Sequence, residues 1–125
     1  MSRSDEDVLR FIAATFPSVW ALELLLAVKG APRVWPREEL IATLRASELV
    51  VSKALEALIA AGLASSDDQG VVYLPVNADV AEFVERAEQL YRSRPNSVRR
   101  AIVAASAGGA TAFADAFRLR KEGND

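Results

Sequence analysis

Ser47, Glu48, Ser52, Lys53 and Glu56 recur at the three- and four-residue spacing that places side chains on one face of a helix. Leu49 stands among them and Val50 at their edge. The face offers hydroxyls, carboxylates and one ammonium, groups that donate and accept hydrogen bonds but do not by themselves make or break covalent bonds. Other chemistry is scarce. The chain has no histidine and no cysteine, which excludes imidazole acid–base catalysis, disulfides and zinc sites built on these ligands. No glycine-rich phosphate loop is present; Gly108-Gly109 alone is not one. Asp5, Glu6 and Asp7 read as favourable charge at a helix N-terminus. The expectation is a binding protein, not an enzyme, with no cofactor and no metal.

Positive charge is concentrated elsewhere. Residues 1–85 carry seven basic and thirteen acidic side chains. Residues 86–121 carry eight basic ones (Arg86, Arg92, Arg94, Arg99, Arg100, Arg118, Arg120 and Lys121) and two acidic ones, Glu88 and Asp115. Such asymmetry marks either a surface for an anionic partner or plain decoration of helix exteriors. Arg33, Arg37 and Arg45 flank the helix that precedes the polar face. Arg92, Arg94, Arg99 and Arg100 gather at the junction of two later helices, where they either contact an anion or pair with Glu85 and Glu88 across helix turns.

These side chains need elements to hold them. With 51% hydrophobic and 26% charged residues in a 125-residue chain, the composition is that of one globular domain with a real core. Ser4 caps a first helix in which Val8, Ile12 and Phe16 share a face and which Pro17 ends. Ser18 caps a second, Val19 to Lys29, apolar on nearly every side and therefore central; Gly30 ends it. Arg33-Val34-Trp35 is a short strand or an extended link. Pro36 opens a third helix, Arg37 to Arg45, with Leu40, Ile41 and Leu44 as its buried stripe. Ala46 turns the chain, Ser47 caps the helix Glu48 to Ala61, and Gly62 ends it. Asp67 to Gly70 form a turn before a strand, Val71 to Val76. Asn77 or Asp79 caps an amphipathic helix with Val80, Phe83, Val84, Ala87, Leu90 and Tyr91 on one side. Pro95-Asn96-Ser97 starts another, and Ala110 to Lys121 presents Phe113 and Phe117 one turn apart, either on their own domain or in a partner subunit. Trp20, Trp35, Phe11, Phe16 and Phe83 are expected in the core.

The run Leu44, Ala46, Ser47, Val51, Ser52, Leu55, Leu58, Gly62 and Leu63, followed by a short hairpin, resembles the winged helix-turn-helix of bacterial transcription regulators, in the general pattern of the MarR and PadR families. The resemblance covers residues 18–76. It implies a mainly α fold: a three-helix core with a two-stranded β wing and further helices at both ends. Residues 77–121 form a helical extension that, in such regulators, often builds a dimer, with the first helix and the Val80 to Tyr91 helix as candidates. In the family the second helix of the motif enters the major groove of double-stranded DNA and the wing meets neighbouring phosphates. Carried over to this sequence, the DNA-binding candidates are Arg37, Arg45, Ser47, Glu48, Leu49, Ser52, Lys53, Arg99 and Arg100. Asp67 and Asp68 stand at the wing tip where related proteins often carry cations. The alternative is a winged helix that meets another protein through the face bearing Leu49 and Val50.

The first residues, MSRSDEDVLRF, are polar and acidic and do not read as a signal peptide. The longest apolar run, Val19 to Val28, is interrupted by Glu23 and too short to span a bilayer. A cytoplasmic protein without a membrane partner is expected.

Overall fold

The computed structural model describes residues 4–106. The expected helix from Ala110 to Lys121, with Phe113 and Phe117, lies outside them. Among the described residues the chain is mainly helical, with one small two-stranded antiparallel sheet.

Helix α1 (Asp5–Thr15) starts where Ser4 accepts a hydrogen bond from the Asp7 N–H at 3.0 Å, with three acidic residues in its first turn. It stops at Phe16, which is extended because Pro17 follows. The chain bends by 104° into α2 (Val19–Gly30), capped by Ser18 through the Ala21 N–H at 3.2 Å. Ala21, Leu22, Leu24, Leu25 and Val28 are all buried, so α2 is the central helix. It packs on α3 (Arg37–Leu44), α4 (Glu48–Ala60) and strand β2. No single described helix is long and apolar enough to cross a membrane.

Strands β1 (Ala64–Ser66) and β2 (Val71–Tyr73) pair with Ser65 opposite Val72. Pairing continues irregularly, as Leu74 N–H to Leu63 O and Val76 N–H to Gly62 O. The regular strand stops at Tyr73 because Pro75 has no N–H to donate. Trp35 is neither a full strand nor a free link: its N–H and C=O both bond Val71 at 2.8 Å, a single bridge on the far edge of β2. Its indole N–H donates to Ala31 O.

Helix α5 (Ala78–Ser93), capped by Asn77, buries Val84, Ala87 and Leu90 and packs on α1. The two run in opposite directions, with Phe83 stacked on Phe11 and Arg94 facing Asp5. Residues 95–106 are helical (α6), with Val98 and Ile102 buried and the Ser106 hydroxyl donating to Pro17 O at 2.9 Å.

Several expectations need correction. Trp20 is 41% exposed, because the buried stripe of α2 runs through positions 21, 22, 24, 25 and 28 and leaves position 20 outside. Phe11 and Phe83 are half-buried and cover one another at the core's edge. On α3 only Leu40 is fully buried; Ile41 and Leu44 are half-covered. The helix limits shift by a residue or two: α3 ends at Leu44, α4 at Ala60, and α5 spans Ala78–Ser93.

Candidate functional site

The candidate face is built by the corner between α3 and α4. Helix α3 closes with Ala46 N–H bonding Ile41 O and Arg45 N–H bonding Ala42 O, both at 3.3 Å, the paired bonds of a Schellman ending. Arg45 adopts φ 54°, ψ 41°, a left-handed conformation normally left to glycine. Ser47 then caps α4 at once, its hydroxyl accepting from Val50 N–H at 3.1 Å. One of its two lone pairs is engaged in holding the helix, so Ser47 keeps its O–H and one acceptor site for a ligand.

Val51, Ala54, Leu55 and Leu58 lock one side of α4 into the core. The opposite side leaves Glu48, Leu49, Lys53 and Glu56 exposed, with Leu49 at 65%, and Ser52 and Val50 half-covered. Helix α3 contributes the element of this face that the sequence pattern missed. The Arg37 guanidinium reaches across and donates to Ser52 Oγ at 2.8 Å. Two residues fifteen apart thereby form one polar unit. Among the described residues, no hydrogen bond or ion pair holds the side chains of Arg45, Lys53, Glu48 or Glu56.

The neighbouring Arg33 is closed off instead. It grips both carboxylate oxygens of Glu39, at 3.1 and 2.5 Å, and lies 3.9 Å over the Trp35 ring. The guanidinium's hydrogen bonds hold the Glu39 carboxyl below its ordinary pKa. The hairpin turn lies next to the start of α3. Asp67 builds it, its carboxylate accepting from Gln69 and Gly70 N–H. A cleft of about 290 Å³ separates this turn, residues 66–71, from Pro36, Arg37 and Glu38.

The later arginines lie around α5 and its contacts. Arg92 pairs with Glu88 at 2.9 Å and Arg94 faces Asp5 at 3.9 Å. Arg99 donates to the Tyr91 hydroxyl at 3.2 Å, and that hydroxyl donates to Glu23. Burial first, and then the bond to Glu23, raises the Tyr91 pKa. Arg100 is exposed. Among the described residues, no hydrogen bond or ion pair joins these arginines to α3, α4 or the hairpin. Thus Arg37, Ser47, Glu48, Leu49, Ser52 and Lys53 share one corner with Arg45 beside it, whereas the contacts of Arg99 are to α5.

A second cluster ties α5 to α2. Lys29 Nζ lies 2.7 Å from Glu88 and 2.9 Å from Glu85, with 14% of its side chain exposed. Burial opposes its charge, but the hydrogen bonds and charges of the two carboxylates together outweigh it and raise the Lys29 pKa. The one legible signal was a lone cation at the end of an apolar helix; its partners are 56 and 59 positions away.

No protein-family model, no curated protein and no solved structure matches this chain.

Proposed function

We propose that the chain is a winged helix-turn-helix protein that binds double-stranded DNA in transcription control, with α4 as the recognition helix and the β1–β2 hairpin as the wing. The observation that carries this reading is the corner itself. A tight Arg45-Ala46 turn delivers a capped helix with one buried and one polar side, beside a short hairpin. Lys53 stands on that polar side and Arg37 is brought to its edge, where phosphate oxygens would lie. As a homodimer the protein would set two such helices on successive major grooves. Selection from a random DNA library at low and moderate salt tests the reading. Enrichment of a defined motif supports it, and absence of binding at low salt overturns it.

One observation favours a second reading. Leu49 is 65% exposed on the face that also carries Glu48 and Glu56, both unpaired among the described residues, and Asp68 is exposed on the hairpin turn. An exposed apolar residue on a face that carries acids suits a protein partner with a basic rim. In that case Leu49→Ala abolishes capture of the partner, while DNA selection enriches nothing.

A further inference from the structure

We propose that Arg37 and Ser52 work as one device on the DNA-binding face: Ser52 orients the Arg37 guanidinium, and Arg37 grips a backbone phosphate at the flank of α4 beside the hairpin turn. This rests on the DNA reading above. On sequence spacing alone Ser52 is a base reader, and the structure assigns it a positioning role instead.

Ser52 is half-covered, whereas Leu49, Lys53 and Glu56 form the crest of α4. In a major groove the crest of a recognition helix meets base edges and its flanks meet the phosphates. Arg37 approaches from α3, and so from the side, and lines the cleft between α3 and the hairpin turn. Its guanidinium has five N–H groups in a rigid fork, and Ser52 engages one, which orients the plane and leaves the others for a pair of phosphate oxygens.

Charge distinguishes Arg37 from its neighbour. Arg33 is neutralised by both oxygens of Glu39. Among the described residues Arg37 is held by an uncharged hydroxyl, so its full charge remains for an anion. Of the two hairpin acids that line the cleft, Asp67 is tied to the turn through Gln69 and Gly70 N–H and Asp68 is exposed.

The test uses the full chain, an operator duplex recovered by selection and a random-sequence duplex, with dissociation constants measured across a salt series. Arg37→Ala, Ser52→Ala and the double variant are compared after melting curves establish that each folds. Arg37→Ala should lose about tenfold on both duplexes and lower the salt slope by about one. Ser52→Ala should lose about threefold on both, with the preferred sequence unchanged. The double variant should be no weaker than Arg37→Ala, because Ser52 acts only through the guanidinium. A changed sequence preference in Ser52→Ala, losses that multiply in the double variant, or an unchanged slope in Arg37→Ala would each overturn the device while leaving DNA binding intact. Failure of the wild-type chain to bind either duplex at low salt would remove the DNA reading and the device with it.

Discussion

Arg45 sits where a helix ending usually has glycine, and its left-handed backbone at φ 54° sets α4's direction. The strain of a non-glycine residue there is about 1 kcal/mol, close to what glycine costs by loosening the unfolded chain. Arg45→Gly should therefore leave stability within about 1 kcal/mol of wild type, whereas Arg45→Val should lose about 1–2 kcal/mol, read from chemical denaturation. If Arg45 contacts phosphate, the same glycine variant lowers the salt slope of DNA binding by about one without unfolding anything. Gly70 is a different case. Its φ is 144°, and a Cβ there would lie 2.2 Å from Trp35 O. That oxygen cannot retreat easily, because both backbone polar groups of Trp35 are bonded to Val71. Gly70→Ala should cost about 2 kcal/mol or more and loosen the hairpin from the Trp35 segment. Asp68→Asn, by contrast, removes one exposed negative charge from the hairpin turn and should tighten DNA binding at low salt more than at high salt. Equal affinities at both would place the turn away from the DNA.

At the scale of elements, α4 depends on its buried side. Leu55 and Leu58 are 2% and 0% exposed, and Leu55→Ala should destabilise the fold by roughly 2–5 kcal/mol. The attachment of α5 is partly ionic. The raised pKa of Lys29 means that its pairing with Glu85 and Glu88 contributes fully below the ordinary value of 10.5 and is lost as pH rises through the folded value. Tyr91 and Tyr73 are both raised above 10.0, chiefly by burial, and act in the same direction. Stability should therefore decline above about pH 10, with α5 losing its hold on α2. Lys29→Met should flatten that decline as well as lower stability at neutral pH. Glu39 runs the other way: its depressed pKa makes the Arg33 clamp effective above 4.5 and lost as pH falls through the folded value.

For the molecule as a whole, if DNA is the ligand, the number of cations the corner can bring to it sets the salt dependence. Arg37, Arg45 and Lys53 are the described ones, so a slope near three per protomer is expected if they act alone. Charge reversal at Arg99 and Arg100 should leave that slope unchanged if the interface is confined to the corner, since among the described residues no hydrogen bond or ion pair ties either one to α3, α4 or the hairpin. A slope that falls in this variant would bring α6 into the interface. A homodimer is the assembly expected from two-fold DNA recognition, and light scattering should give twice the 13.5 kDa chain mass. Val84, Ala87 and Leu90 are buried within their own chain, so α5 could join such an interface only through its outer face. Phe113→Ala with Phe117→Ala should leave the mass unchanged if those rings belong to the chain's own core.

Local chemistry alone was enough to read most of the elements. Ser4, Ser18 and Ser47 each accept a hydrogen bond from the N–H three residues on, a cap decided within one helix turn. Pro17, Pro36 and the Asp67 to Gly70 turn are equally short-range, and the apolar spacing of α4 named its buried side before any fold was known. The partners of polar side chains were not legible, because a cap is a contact between near neighbours, whereas an ion pair joins whichever residues packing brings together. Spacing left Arg33 and Arg37 alike; only the fold closes one on Glu39 and aims the other at Ser52. Likewise periodicity marked Trp20 as apolar without saying which side of a helix apolar on nearly every side meets the core. That was decided by where α3, α4 and β2 pack on α2, a long-range arrangement to which no single residue's propensity contributes enough to read.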